Sequence, residues 1–310
     1  MSGIAHGVAD DDGSPQNRPG RRPQNRPTAA WKMSEGLVSA LPVIVLLILG
    51  FFGPMLLVLV YSFMPRGSFT IRRAPSIENY VDIVEQNFYI SFSWSLFLAL
   101  ITVVILLVIC YPLALALKRM STRRANLLTL LIVAPLFVAE NIRLQGWVLF
   151  FDKGGFLDGG LEALIGVGTG SLVNNVPSVI FGIVYIYLPF MLFPILLGLA
   201  NVPKDAQESA YDLGASRWRV FRDIELPLAM PGIMIGGLLC FVISLGAFSE
   251  AKFLGKGVIV TIAQDIESAF TFGQNWPRGS ALSVLLIVLA GSAVFLAMRR
   301  INLERMLAKR

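Results

Sequence analysis

The chain has 310 residues, 55% hydrophobic and only 15% charged, with a mean hydropathy of +0.69; this excludes a water-soluble globule and indicates a polytopic membrane protein. The net charge of +6 is not a nucleic-acid footprint, because the basic residues sit at the ends of apolar segments, where membrane topology accounts for them. One histidine, His6, near the N-terminus and two cysteines, Cys110 and Cys240, inside apolar runs leave almost no material for histidine-based hydrolysis, a metal centre or a redox motif.

Residues 1–30 carry Asp10-Asp11-Asp12 and repeated Arg-Pro and Gln-Asn-Arg units without apolar periodicity, which predicts a disordered cytoplasmic tail. It does not read as a cleavable signal, since the apolar stretch that follows is long enough to span a bilayer. Uncharged or nearly uncharged segments predict six transmembrane helices, over about 37–63, 90–117, 127–151, 177–200, 231–249 and 279–298, within a domain covering 36–300. The third is unusual, because Glu140, Asn141 and Arg143 interrupt it. A Gly-rich segment follows it, with Leu157 to Leu164 as a candidate short helix at the outer surface, and residues 301–310 form a basic cytoplasmic tail.

Lysine and arginine test this layout independently. With the N-terminus inside, eighteen of the 26 fall on inner segments and seven on outer ones, with Arg143 inside a span. That excess predicts that both termini, and the loop over 201–228, are cytoplasmic.

This loop is a charged island between two apolar segments, and its pattern is regular. Ala206, Ala210 and Gly214 recur every four residues and form one small-residue stripe on a helix, beside Glu208, Tyr211 and Asp212. Gly214 ends that helix, Ser216 is placed to cap a second short helix to about Asp223, and Pro227 and Pro231 mark the start of the next apolar segment. The implied shape is helix, elbow, helix, then membrane.

The order Glu208-Ser209-Ala210, three residues, Gly214, nine residues, Ile224, one residue, Leu226-Pro227 resembles the EAA signature of inner-membrane permease subunits of bacterial ABC importers. Ser209 stands where the family has its first Ala, a small-for-small change. The resemblance implies an all-α fold of six transmembrane helices in the type I ABC importer permease arrangement. It also implies that Glu208, Ser209, Ala210, Asp212, Gly214, Ile224, Leu226 and Pro227 couple the chain to an ATPase. Glu208 would engage that ATPase by charge or helix capping, and Ala210 and Gly214 would permit close approach.

The likeness runs through the chain beyond the tail and narrows toward the spermidine/putrescine branch. Pro135 with Arg143 and Trp147, Ser244-Leu245-Gly246-Ala247-Phe248 with Phe253-Leu254-Gly255, and Asn275-Trp276-Pro277-Arg278-Gly279 resemble that branch's third-, fifth- and sixth-span patterns. Ala247 stands where the branch usually has an acidic residue, its usual proline just past Phe248 is missing, and Lys252 and Lys256 add positive charge near the outer mouth. Relatives carrying opines, thiamine, phosphonates or iron therefore remain alternatives for the solute. The partners implied are a second homologous permease, a cytoplasmic ABC ATPase dimer, a periplasmic binding protein and membrane lipid, with no nucleic acid. The membrane implied is the bacterial inner one.

No Walker A pattern occurs, so ATP and magnesium belong to the partner ATPase and this chain is a transport subunit with no catalytic or metal-binding residues and no bound cofactor of its own. Within the membrane, Glu140, Asn141, Arg143, Trp147 and Glu250 are the translocation-pathway candidates. Glu140 and Arg143 at i and i+3 share a helix face, either as an internal ion pair or as pathway lining. Glu250 reads either as a solvated residue at a span end or as a cavity residue, and Trp147, Tyr185 and Tyr187 as packing aromatics rather than a cation cage. The rival class is an ATPase-independent secondary transporter, but no inverted repeat supports it.

Overall fold

The computed structural model describes residues 40–67 and 74–300, and every regular element among them is helical. The two predicted tails, 1–30 and 301–310, lie outside the described residues. Residues 40–54 belong to one unit and those from Met55 to another. The described part of the first unit, 40–54, is the start of helix α1 (Ala40–Ser62), which passes through a π-helical turn at Ile48–Phe52. None of its apolar side chains is buried, Leu46 being 71% exposed, as suits a helix covered by lipid or by another chain.

In the second unit, α2 (Glu78–Glu85) anchors the C-terminal end of α1: Asn79 Nδ2 donates to the carbonyls of Ser62 (3.1 Å) and Met64 (2.7 Å), and the Tyr80 hydroxyl donates to Ser62 Oγ (2.9 Å). The core is a bundle of α3 (Tyr89–Arg119), α7 (Val176–Ala200) and α10 (Leu226–Leu245), which pack pairwise around Leu98, Leu106, Ile183, Met191, Leu192 and Ile195. Cys110 and Cys240 are free and buried in this bundle, as the sequence suggested. The last span, α13 (Trp276–Arg300), packs against α12 (Ile262–Thr271) and α2 through a second, smaller apolar cluster of Ile83, Ile262, Ala281 and Leu282.

Where α7 crosses α10 the backbones touch. A Cβ on Gly232 would stand 2.2 Å from the Pro194 carbonyl oxygen and 2.9 Å from Gly198 Cα, and one on Gly198 would stand 2.8 Å from the Ala229 carbonyl oxygen. Close approach of this kind is how spans associate where lipid supplies no hydrophobic drive between them.

Two expectations are corrected. The third span, predicted as one helix over 127–151, is broken: α4 (Thr122–Val133) continues as a 3-10 turn (Ala134–Phe137), the chain extends at Val138 and Ala139, and α5 (Glu140–Phe151) restarts. The two halves are bent by 100°. Pro135 removes a backbone donor at the bend, and Glu140 becomes a first-turn residue, where the helix dipole favours a carboxylate. The fifth span, in turn, does not begin at residue 231. The helical backbone runs unbroken from Arg217 to Leu245 through a π-helical turn at Phe221–Glu225. That turn shifts the hydrogen-bond register, so the helix continues past Pro227 instead of stopping.

The short helix expected over Leu157 to Leu164 is present as α6 (Phe156–Ile165), and the segment after the fifth span, for which no element was expected, holds α11 (Ser249–Gly255) and α12, which opens on a capping box of Thr261 and Gln264.

Candidate functional site

The charged island over 201–228 folds as helix, elbow and helix. α8 (Lys204–Asp212) starts after Pro203 with Asp205 in its first turn. It ends in a Schellman motif: the Gly214 amide donates to the Tyr211 carbonyl (2.9 Å) and the Ala215 amide to the Ala210 carbonyl (3.0 Å). Gly214 has φ +80°, a conformation a side chain strains, and open space around it. Ser216 then caps α9 (Arg217–Val220), its Oγ accepting from the Arg219 amide at 3.4 Å.

Glu208, Ser209, Asp212, Gly214 and Pro227 are exposed, whereas Ala206, Ala210, Ile224 and Leu226 are half-buried against the loop and the helix bundle. The loop's tip carries two largely exposed apolar side chains, Leu213 (89% exposed) and Trp218 (69%). Trp218 stacks on Phe221 (5.1 Å), which meets Tyr111 of α3 edge-on (5.6 Å). Beside them Arg119, Gln207, Tyr211 and Arg217 line an open recess of about 440 Å³.

Two basic residues counted only toward topology tie this loop to the bundle. Lys118 Nζ donates to the carbonyls of Leu199 (2.8 Å) and Val202 (3.4 Å), closing the C-terminal end of α7 where the loop leaves it. Arg119 lies 3.8 Å from the carboxylate of Glu225, which is buried in the π-turn. Neither contact was readable from spacing, since the partners are about 80 and 106 residues away along the chain.

At the other end of the bundle, the broken third span places the residues expected to line a pathway. Glu140 and Arg143 do not form the ion pair that their spacing allowed. Among the described residues no salt bridge links them, and the Arg143 guanidinium lies over the Tyr185 ring, 5.8 Å from its centroid. Asn141 is exposed. Trp147 packs on Phe181 (4.8 Å), Phe151 (5.3 Å) and Tyr185 (5.4 Å), an aromatic seam joining α5 to α7 in line with a packing role.

Glu250 is not a solvated residue at a span end. It is fully buried, because α11 folds back over α7 and α5. Burial pushes its carboxyl up to about 7. The two lysines on either side of it are engaged outward, Lys252 with Glu267 (3.0 Å) and Lys256 with Asp152 (3.2 Å). The glycine-rich loop around α6 is organised by Asp158, whose carboxylate accepts from the amides of Gly154 (2.8 Å) and Gly170 (2.7 Å); these bonds hold its carboxyl below the usual carboxylate range.

Residues 125–307 match the family described as binding-protein-dependent transport system inner membrane component. The chain is 34% identical over 252 residues to the spermidine/putrescine transport system permease protein PotB of Haemophilus influenzae, covering 79% of this chain and 87% of that one. It is 32% identical over 247 residues to PotB of Escherichia coli, covering 79% and 90%. Its fold is similar to that of a bacterial alginate ABC transporter solved in complex with an alginate pentasaccharide-bound periplasmic protein, with a TM-score of 0.70 at 19% identity over 86% of this chain and 92% of that one.

Proposed function

As a member of the binding-protein-dependent transport system inner membrane component family, this multi-pass membrane chain is a transport component rather than an enzyme, and we propose that it is the permease subunit of an ATP-driven importer of spermidine, putrescine or a related organic amine. The observation that carries the reading is the helix-elbow-helix, with Glu208, Ala210, Gly214, Ile224, Leu226 and Pro227 at the family's spacing, in a chain with five candidate spans and a sixth if the bent pair is one span. The identity to two PotB permeases supports the amine as cargo.

The mechanism follows from the parts. A cytoplasmic ATPase dimer binds ATP and magnesium and receives the α8–α9 elbow, with Leu213 and Trp218 as apolar anchors and Glu208 and Asp212 as polar ones. Closure of the ATPase displaces the elbow. Because the backbone is helical from Arg217 to Leu245, the displacement enters the fifth span directly. Lys118 and Arg119 hold the loop to α3, so the bundle follows. A second, homologous permease completes the pathway, and a periplasmic binding protein delivers the amine to the outer mouth. The ATPase drives the change only through different contacts with the elbow in its two nucleotide states. Both termini lie in the cytoplasm, in keeping with the excess of basic residues on that side.

The test is ATP-dependent uptake of radiolabelled spermidine and putrescine into vesicles holding this chain with its partner permease, ATPase and binding protein. Saturable uptake, abolished by Glu208→Ala in an assembled complex, is expected. No polyamine uptake alongside ATPase stimulation by another solute would move the cargo to that solute. Wild-type uptake by Glu208→Ala would remove Glu208 from coupling.

A further inference from the structure

We propose that Glu250, with the Tyr187 hydroxyl beside it and the Glu140 carboxylate nearby, forms a binding site for one ammonium group of the transported amine. The inference rests on the polyamine reading and gives it a place in the chain. Glu250 is 0% exposed, and among the described residues neither of its carboxylate oxygens has a hydrogen-bond partner. The Tyr187 side chain lies within interaction range of this carboxyl group, and Glu140 lies within electrostatic reach of it.

Among the described residues no salt bridge reaches Glu250: Lys252 and Lys256 are tied to Glu267 and Asp152, and Arg143 lies over Tyr185 with its Nε unpartnered. A buried carboxylate without a cation is costly, and two within each other's field are costlier. An arriving ammonium removes that cost: it brings one positive charge and three donors, and the two Glu250 oxygens and the Tyr187 oxygen supply three acceptors.

The helix that carries Glu250 packs closely on α7 at Gly182, where a Cβ would stand 2.5 Å from Leu254 and at an ordinary contact distance of 3.6 Å from Glu250 Cβ. The helix that carries Glu250 is flanked by Gly246 on one side and by Lys256 (φ +39°) and Gly257 (φ +91°) on the other. Its two lysine ion pairs face outward, while its one carboxylate faces in. The site in this conformation is closed, with α11 as its cover.

The experiment uses the complete transporter in vesicles and measures putrescine and spermidine uptake, ATPase stimulation by the loaded binding protein, and melting of the solubilised complex. Glu250→Gln keeps the volume and removes the charge. The expected result is at least a tenfold fall in uptake rate with ATPase stimulation and melting temperature kept at the wild-type level, and partial recovery in Glu250→Asp. Tyr187→Phe, which removes only a hydroxyl, is expected to raise KM for both amines. Wild-type uptake in Glu250→Gln overturns the proposal while leaving the polyamine reading intact. A lower melting temperature in Glu250→Gln with unchanged KM in Tyr187→Phe also overturns it, since that is what a purely structural carboxyl would give. If the wild-type complex moves no polyamine, the functional reading itself fails.

Discussion

The contact between α7 and α10 gives the most sharply defined prediction. Gly232→Ala adds one methyl group where the backbone of the neighbouring helix already stands. The new Cβ would lie 2.2 Å from the Pro194 carbonyl oxygen, against an ordinary contact of 3.4 Å or more, so the helices must separate locally by about 1.2 Å. The obstructing atoms are backbone, at Pro194 and at Gly198 (2.9 Å), so no side chain can swing aside. Overpacking of this kind costs about 1–3 kcal/mol. Separation also loosens Gly236, whose Cβ position is 3.1 Å from the Met191 carbonyl oxygen, so the loss extends along the seam. The measurement is thermal unfolding of the solubilised complex, where a fall of about 2–4 °C per kcal/mol is expected. Gly159→Ala is the control, because nothing lies within 4 Å of a Cβ there and helix propensity favours the change by about 0.5–1 kcal/mol. Equal melting temperatures for wild type and Gly232→Ala would refute the backbone-contact argument.

Four further outcomes follow from the same geometry. Lys118→Met leaves the Leu199 and Val202 carbonyls without their donor at the end of α7; a loss of about 1–2 kcal/mol in the melt, with reduced uptake, is expected, and an unchanged melt would show that water replaces the amine freely. Gly214→Ala strains a φ of +80°, at about 1 kcal/mol, and should slow ATP-driven uptake without changing expression. Trp218→Ala removes an exposed aromatic anchor, and at least a tenfold weaker association with the ATPase is expected by titration, whereas unchanged affinity would take Trp218 out of the interface. Asp158 has its carboxyl pKa lowered by the folded loop, so its contribution to that loop is present above the unfolded value, near 3.8, and is lost as pH falls through the lower folded value. Protection of the Gly154 and Gly170 amides from hydrogen exchange, measured relative to the intrinsic rate at each pH, should be high at pH 6 and fall in acid, and Asp158→Asn should show low protection at both.

What the sequence revealed and what it hid have a common physical basis. Helix-forming length and hydropathy are local, so the apolar spans could be located by reading along the chain. The elbow was readable too, because the Schellman turn at Gly214 and the cap at Ser216 depend on residues within five positions of each other. The break before Glu140 was hidden because Pro135 and a charged residue in an apolar run are compatible with a kinked span as well as with a broken one. The burial of Glu250 could not be read at all. It depends on α11 folding back against Gly182, a contact across about 70 residues of chain. Lys118 and Arg119 were counted for their charge, while their acceptors lie on other elements. The capping box at Thr261 and Gln264 was readable, with its Thr-x-x-Gln spacing, but the polar character of that segment drew it into a single external loop.

The unbroken helix from Arg217 to Leu245 acquires a mechanical meaning from the place where it is pinned. Gly232 lies near its middle, about 22 Å of helix from its inner end and about 20 Å from its outer end at 1.5 Å per residue. A rod held at its midpoint by backbone contact behaves as a two-armed lever with the Gly198–Gly232 crossing as fulcrum. A few ångströms of travel at the elbow then appear as a similar travel in the opposite sense at Leu245, just before the helix that covers Glu250. Closing the inner end and opening the outer end would then be one motion of one element, with no separate signal passed between them.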